Sequence, residues 1–436
     1  MINKNLLFIC VDCLRADKTF HPEIELPAIS SLINKGTSFT KTFSTATTTS
    51  PTISSIFTGT YPFHSGIMSL AGYKLNPSIK TMAEILKENG YHTCAFVTGP
   101  LTKEFGLERG FDRYEYRDKK HNLHSQYLNE FLDQINSLPK PWFSFLHLWE
   151  IHGPRSIPRK YNKPKYGKSP YTRALYALDK KLQVILENVD LDQTIVVLTG
   201  DHGESIAEGL IKRSFLKLRK KPLTKELIPI IGKTIDKARP SLPFLFNIPD
   251  HYAPGYRDQF IGHGHHVYDY LSNIPLIFAG EKIFPKKAKI SSLTSQVDIL
   301  PTLLDALKIN PKLKYELDGV NLMPSIYNKE SLDKERSVYI QASGKRLKDQ
   351  SSWLAGLRTD QWKYAYTFKN KEKSKHYLFD LNKDPFELKN IVDRKPQLAK
   401  KMRKNIDEKL KDLKQNKMTN QEEAKINERL KDLGYL

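Results

Sequence analysis

Hydroxyl side chains cluster in residues 47–66, a segment whose composition is typical of a turn followed by a helix. Three consecutive threonines, ending at Thr49, precede Pro51, and Gly59 closes the short run behind them. Proline favours the first turn of a helix and glycine its C-terminal exit. Thr49 would then lie just before a helix N-terminus, where free N–H groups favour an anion. A hydroxyl there could attack a phosphorus or sulfur centre, although the segment alone is more typical of an ordinary N-cap turn.

Carboxylate and imidazole side chains follow two segments that we expect to be strands. Asp12 follows residues 6–11, which are continuously apolar, as in a central parallel strand covered on both faces. Asp201 and His202 follow residues 194–200, which are rich in β-branched side chains. Open α/β sheets bind ligands outside the carboxyl ends of their strands, so these residues are candidate metal ligands. A carboxylate, an imidazole and a threonine alkoxide suit a divalent cation such as Zn or Mn.

The segment around Thr49 resembles the signature of the sulfatase family, in the alkaline phosphatase superfamily. That signature is Cys-x-Pro-x-Arg followed by an apolar run and Thr-Gly. Aligning it on Pro51 and on Thr58-Gly59 puts Thr49 at the nucleophile position of the family. Thr49 replaces the Cys or Ser, and Ile53 replaces the Arg. Threonine cannot be converted to the formylglycine of such sulfatases, whereas relatives that act on phosphate esters use an unmodified Thr or Ser.

Histidines later in the chain extend the resemblance. His152, in a His-x-Pro element at the end of an expected strand, looks like the family's histidine that contacts the anionic group of the substrate. His263 aligns best with the element that places a cation-like side chain on the substrate, and His265 is the second choice. One of these imidazoles could protonate a leaving oxygen. His263, His265 and His266 could instead hold a second metal ion, but we expect two of these three histidines to face solvent.

The resemblance implies a complete site around a single divalent metal ion, which could be Zn, Mn, Ca or Mg. The expected metal ligands are Asp12, Thr49, Asp201 and His202. The expected catalytic residues are Thr49, His152 and His263, and the expected substrate-binding residues are His152, His263 and His265.

These residues require an α/β fold that brings strand ends together. The resemblance implies an alkaline-phosphatase-like fold, with a large, mostly parallel sheet flanked by helices and a small C-terminal antiparallel α+β subdomain. Expected strands are residues 6–11, 91–97, 142–148, 194–200 and 274–280, and expected helices are residues 27–36, 78–89 and 171–187. After residue 331 the pattern changes to short strands at residues 337–341, 353–366 and 376–381. We therefore predict a catalytic domain over residues 1–330 and a C-terminal subdomain with a helical tail over residues 331–436.

The chain carries a formal net charge of +21, which indicates an anionic partner such as a glycan, a lipid headgroup or a membrane surface. Nucleic acid is not expected, because the basic residues are scattered and no recognised binding motif is present. Residues 211–240 hold ten Lys or Arg against two acids, within an insertion at about residues 210–261. That insertion could contact a membrane as a peripheral amphipathic lid, or could be a solvated helical segment.

No signal peptide opens the chain, and only three cysteines are present, so we expect a cytoplasmic protein, at most peripheral to the membrane. The expected activity is hydrolysis or transfer at phosphate mono- or diesters of an anionic glycan or lipid. Hydrolysis of sulfuric esters is the alternative. A third alternative is a catalytically weak protein that binds anionic glycans or membrane surfaces. The sequence does not indicate the oligomeric state.

Overall fold

The computed structural model describes residues 4–118, 121–206, 262–327, 332–343, 350–368, 374–413 and 416–432. The predicted basic insertion at residues 210–261 falls entirely outside these ranges, and its proposed roles stay predictions. Within the described ranges, no helix combines the length and the apolar character needed to cross a membrane.

A large sheet forms the centre of the molecule. Its strands in the described part of the chain are β1 Asn5–Val11, β2 Gly36–Phe43, β3 His92–Val97, β4 Arg113–Tyr116, β5 Trp142–Leu148, β6 Thr194–Gly200, β7 Asn273–Ala279, β8 Ala288–Ile290 and β9 Thr294–Ser295. The spatial order is β4-β3-β5-β1-β6-β7-β2-β8, with β9 also paired to β2. All pairs are parallel except those that β7 makes with β6 and β2. The mostly parallel sheet expected from the sequence is thus confirmed.

Helices flank this sheet and extend the C-terminal region. They are α1 Ala16–Thr19, α2 Pro27–Asn34, α3 Thr49–Thr58, α4 Pro62–Ser65, α5 Met82–Glu88, α6 Tyr127–Ser137, α7 Pro170–Glu187, α8 Asp269–Ser272, α9 Ile299–Ala306, α10 Met323–Ile326, α11 Pro396–Lys409 and α12 Asn420–Asp432. Helix α5 begins later than residue 78, because the Thr81 side chain and Glu84 form a reciprocal capping box that fixes the first turn.

Both faces of the sheet are buried, as the continuously apolar β1 predicts. Leu6 and Phe8 belong to one hydrophobic cluster, whereas Leu7 and Ile9 belong to another. Because side chains alternate along a strand, these two clusters lie on opposite faces. Burial on both faces leaves only the ends of the strands open for polar chemistry.

A second, antiparallel sheet follows in the C-terminal region. It consists of β10 Val338–Ala342, β11 Leu354–Arg358, β12 Trp362–Thr367 and β13 His376–Asp380, in that order. The single strand expected over residues 353–366 is wrong, since this segment forms a hairpin in which Thr359 accepts a hydrogen bond from the amide of Trp362. Helix α11 packs on this sheet, and α12 returns to the main core through Ile426 and Leu430.

Buried charges connect the second sheet to the main sheet. Lys363 of β12 pairs with Asp269 at the start of α8 and lies 2.8 Å from Glu387. Arg358 of β11 also pairs with Asp269, at 3.2 Å. The two cations hold the pKa of Asp269 down at about 2 although it is buried. This network fixes α8, which leads from the histidine segment around His263 into β7.

Candidate active site

The proposed ligands meet at the carboxyl edge of the main sheet. β1 and β6 are parallel neighbours, with Val11 opposite Gly200, so the residues that follow them, Asp12 and Asp201, lie side by side. The amide of Asp201 donates to the carbonyl of Val11 at 3.4 Å. Helix α3 points its N-terminus at the same edge. The four residues expected to share one metal ion therefore converge in space, although their roles stay predictions.

Thr49 is the first residue of α3, and Thr48, in an extended conformation, is the N-cap. The Thr49 hydroxyl oxygen lies 3.4 Å from Nε2 of His202, and the residue is fully buried. Gly59 ends the helix in the left-handed conformation, as its position after the apolar run predicts. The helix thus fixes the Thr49 hydroxyl at its positive end, facing the strand that carries Asp201 and His202.

The two aspartates are buried and incompletely satisfied. Oδ1 of Asp201 accepts hydrogen bonds from the amides of Cys13 at 3.0 Å and His202 at 2.6 Å. Oδ2 of Asp201 and both carboxylate oxygens of Asp12 have no hydrogen-bond partner within the described part of the chain. Burial, together with the Asp201 charge, raises the pKa of Asp12 well above its usual value. Unpartnered buried carboxylate oxygens are costly, so this arrangement favours a bound cation.

His202 presents its second nitrogen to these oxygens. Its Nδ1 lies 2.9 Å from the Gly203 carbonyl, which can only accept, so Nδ1 carries the proton. The unprotonated Nε2 lies 3.4 Å from Oδ2 of Asp201 and 3.8 Å from Oδ1 of Asp12. Burial lowers the pKa of His202, which keeps the ring neutral, as a metal ligand must be.

His152 and His263 lie beside this set. Their Nε2 atoms are 3.2 Å apart, and Nδ1 of His263 donates to the carbonyl of Thr47 at 3.2 Å. A neutral His263 therefore has an unprotonated Nε2, and this atom faces Nε2 of His152. The ring of His263 lies 4.1 Å from that of His202. Burial and the nearby His202 lower the pKa of His152 to about 3.

The neighbouring histidines depart from the sequence expectation. His263 and His266 are both buried, so the prediction that two of the three histidines face solvent is wrong. His266 is buried by two aromatic rings. It stacks on Tyr268 at 3.6 Å between ring centroids, and its ring centroid lies 4.7 Å from that of Tyr377 in β13 of the second sheet. His265 is partly exposed beside His263, and its role in substrate binding stays a prediction.

Sequence reasoning missed two residues at this edge. His147, near the end of β5, is fully buried, and its Nε2 lies 4.0 Å from Oδ2 of Asp201. A lone imidazole within an otherwise buried strand was the available signal. Cys13 has a φ of 66°, and its Sγ lies 3.9 Å from Nδ1 of His202.

The donor set fits a divalent cation. Potential ligand atoms of Asp12, His147 and Asp201 all lie within 4.8 Å of one another, as do those of Asp12, Cys13 and His202. Carboxylates, imidazoles and a hydroxyl are the donors that Zn and Mn accept. The buried oxygens without protein partners supply the structural reason for an ion at this place.

Comparison with known families gives matches along nearly the whole chain. The family model described as "Sulfatase" matches residues 4–309, which is more than half of the sequence. A second family model, described as "N-sulphoglucosamine sulphohydrolase, C-terminal", matches residues 263–416.

Curated relatives are sulfatases. Arylsulfatase K of Gallus gallus is 33% identical over 144 residues, which cover 32% of this chain and 26% of that protein. Arylsulfatase K of Homo sapiens is 22% identical over 439 residues, covering 91% of this chain and 80% of that protein. Delta 4,5-hexuronate-2-O-sulfatase of Bacteroides thetaiotaomicron is 29% identical over 127 residues, covering 29% of this chain and 25% of that protein. The local matches thus span about a quarter of these relatives' length.

Solved structures share the fold over most of the chain. Phosphonate monoester hydrolase of Agrobacterium radiobacter superposes with a TM-score of 0.70 at 17% identity, covering 94% of this chain and 95% of that one. A structure in complex with its substrate D-glucosamine-2-N,6-O-disulfate has a TM-score of 0.66 at 14% identity, covering 94% and 98%. At such identities, the likeness establishes the fold alone.

Proposed function

This chain belongs to the sulfatase family of ester-bond hydrolases, and from that premise we propose that it cleaves phosphate mono- or diesters with Thr49 as nucleophile. The observation that carries the proposal is the placement of the Thr49 hydroxyl at the N-terminus of α3. It lies 3.4 Å from Nε2 of His202, beside the unpartnered oxygens of Asp12 and Asp201. Threonine in place of the family's Cys or Ser favours phosphate esters, because it cannot become formylglycine.

A single divalent cation would be held by Asp12, Thr49, Asp201 and His202. When bound, it would lower the pKa of the Thr49 hydroxyl and neutralise charge on the ester. The chain's own contribution is rigid placement. Strand ends fix Asp12 and Asp201, the Gly203 carbonyl fixes the tautomer of His202, and α3 fixes the Thr49 hydroxyl.

The first chemical step forms a bond between the Thr49 oxygen and phosphorus. The bond from phosphorus to the leaving oxygen breaks, and the electron pair departs with that oxygen. Thr49 releases its proton to water, and the leaving oxygen takes a proton from water, so the protons balance over the step. His152 and His263, whose Nε2 atoms lie 3.2 Å apart beside the site, bind the non-bridging oxygens or assist the departure of the leaving oxygen.

The second step returns the enzyme to its starting state. Water, or an acceptor alcohol in a transferase reaction, attacks phosphorus on the side opposite Thr49. The bond to the Thr49 oxygen breaks, and Thr49 takes back a proton from the attacking hydroxyl. The α3 N-terminus stabilises the negative charge of the Thr49 oxygen as it departs.

Sulfuric ester hydrolysis is the second candidate. It is supported by the match to the sulfatase family model and by the arylsulfatase relatives. The net charge of +21 supports an anionic glycan or lipid as the molecule that carries either ester. It equally supports a third candidate, in which a catalytically weak site accompanies binding of anionic glycans or membrane surfaces.

Substitution of Thr49 separates these candidates. Thr49→Ala, Thr49→Ser and wild type are assayed on aryl phosphate, phosphodiester and aryl sulfate esters with Zn or Mn added. Thr58→Ala is the matched control, since Thr58 is a buried threonine of the same helix whose hydroxyl, among the described residues, bonds to Ser54 and Thr60. We expect phosphate ester turnover that Thr49→Ala reduces at least about 10³-fold. Thr49→Ser should retain part of this turnover, and Thr58→Ala nearly all of it.

The other outcomes decide against the proposal. Wild-type turnover in Thr49→Ala would rule out this nucleophile. Turnover of aryl sulfates alone would establish the second candidate. Turnover of none of the esters, together with polyanion binding that Thr49→Ala leaves unchanged, would establish the third.

A further inference from the structure

His147 is the only titratable side chain of β5 and lies where this strand reaches the carboxyl edge of the sheet. The strand is buried along its whole length, and His147 has no exposed surface. None of the roles proposed above uses this imidazole. A polar ring is costly to bury in such a strand unless both nitrogens are satisfied.

The orientation of the His147 ring is fixed by contacts on the side opposite Nε2. Its Nδ1 lies 3.0 Å from the hydroxyl oxygen of Thr98, at the end of the neighbouring β3. Its carbonyl accepts from Nη2 of Arg117 at 3.1 Å, and Arg117 forms a buried ion pair with Glu150 at 3.0 Å. These contacts hold the strand end and turn Nε2 towards the proposed metal site.

Nε2 of His147 has no hydrogen-bond partner within the described part of the chain. Its neighbour is Oδ2 of Asp201 at 4.0 Å, which is too long for a hydrogen bond. Two ligands about 2.0–2.2 Å from one cation lie at most about 4.4 Å apart. The distance of 4.0 Å between Nε2 of His147 and Oδ2 of Asp201 is therefore short enough for both atoms to coordinate the same ion. Potential ligand atoms of Asp12, His147 and Asp201 all fall within 4.8 Å of one another.

We propose that Nε2 of His147 is a metal ligand, which coordinates a divalent cation together with Asp12 and Asp201. One ion would satisfy the unpartnered nitrogen and the unpartnered carboxylate oxygens together. A second imidazole at this edge, in addition to His202, favours Zn or Mn over Ca or Mg, which prefer oxygen ligands. The inference deepens the proposed function, because it rests on the same metal edge and narrows which cation that edge holds.

The test measures metal binding in the full-length chain without substrate. Chelator-treated wild type, His147→Ala and His147→Gln are titrated with Zn, Co and Ca. His124→Ala, which alters a partly buried histidine on the loop before α6, is the matched control. We expect both His147 variants to lose at least about 100-fold in Zn and Co affinity, with a much smaller change for Ca. Thr98→Val, which removes the contact behind the ring, should lose about 10-fold.

The visible spectrum of the Co-loaded protein distinguishes a ligand from a positioning residue. Loss of a nitrogen ligand should change the band positions and intensities of both His147 variants at saturating Co, whereas His124→Ala should match wild type. Unchanged Zn affinity, or a saturated spectrum identical to wild type, would overturn the proposal. Circular dichroism of the metal-free variants checks folding, and the Gln variant keeps the ring volume largely filled.

Failure of this inference is distinguishable from failure of the proposed function. Metal affinity and the Co spectrum are measured in the absence of any ester, so they do not depend on whether phosphate or sulfate is cleaved. Loss of turnover in Thr49→Ala, together with weaker Zn binding and a changed Co spectrum in the His147 variants, would support both proposals. A Thr49 nucleophile with an unchanged Co spectrum in His147→Ala would overturn the inference alone.

Discussion

Replacing Asp12 with Asn should stabilise the metal-free protein and abolish its stabilisation by a divalent cation. Both carboxylate oxygens of Asp12 are buried and lack partners among the described residues, and Asp201 lies beside them. An unsatisfied buried polar group costs about 1–3 kcal/mol, and more when it is charged. Asn keeps the shape and removes the charge. We therefore expect the free energy of unfolding of the metal-free protein to rise by about 1–3 kcal/mol.

When a cation is present, we expect wild type to be more stable than Asp12→Asn. Zn or Mn at about 1,000 times its dissociation constant should add about 4.1 kcal/mol to wild type, which exceeds the gain expected for Asp12→Asn. It should add nothing measurable to Asp12→Asn, because the variant lacks one of the two carboxylates of the metal set. The assay is urea denaturation of both proteins with chelator and with added metal. Asp12→Asn should be the more stable protein with chelator, and wild type should be the more stable one with added metal.

Asp179→Asn is the matched control, because Asp179 is a buried aspartate whose carboxylate oxygens have hydrogen-bond partners. Its oxygens accept from the amides of Ala28 at 3.1 Å and Ile29 at 2.9 Å, at the N-terminus of α2. Losing one of these charged acceptors should lower the free energy of unfolding by about 1.5–3 kcal/mol under both conditions and leave the metal effect intact. The reasoning is refuted if Asp12→Asn also destabilises the metal-free protein, or if it keeps the metal-induced gain.

Three further predictions concern other parts of the chain. Lys363→Met should lower the free energy of unfolding by about 3–5 kcal/mol, measured by urea denaturation, because it removes the cation that pairs with the buried Glu387 and one of the two that pair with Asp269. Lys41→Met, at an exposed pair, should change the free energy of unfolding by less than about 1 kcal/mol. Gly319→Ala should destabilise by about 1–3 kcal/mol or more, since an added Cβ would meet the Val297 carbonyl at 1.9 Å, and a neutral result in the same assay would contradict that packing. Deleting residues 211–240 should weaken binding to anionic vesicles or polyanionic glycans, and unchanged binding would dismiss the basic segment as a contact surface.

Much of the site could be predicted from the sequence because strand ends carry it. The buried runs that form β1 and β6 are continuously apolar, and parallel strands buried on both faces leave chemistry only to the residues that follow them. Asp12, Asp201 and His202 were found on that ground. The prediction that Thr49 is the nucleophile depends on the family resemblance, since a threonine before a proline turn is otherwise typical of an ordinary helix cap.

What the sequence did not reveal depends on pairing between distant segments. His147 belongs to no spacing motif, and only the register of β5 against β1 brings it to the metal edge. The hairpin of β11 and β12 turns at residues 359–361, which lack the Gly or Pro that signals a turn. Two of the three histidines 263, 265 and 266 were expected to face solvent. The burial of His266 could not be predicted, because it depends on ring contacts with Tyr268 and with Tyr377 of the second sheet.

The central claim is that one cation lies between Asp12, Asp201 and His202 within reach of the Thr49 hydroxyl. Anomalous diffraction from crystals grown with Mn or Zn locates that cation directly. We predict a strong peak about 2.0–2.3 Å from the side-chain atoms of these residues, with the Thr49 oxygen facing it. A metal-saturated crystal with no peak at this edge, or with the Thr49 oxygen directed away from the ion, would contradict the account.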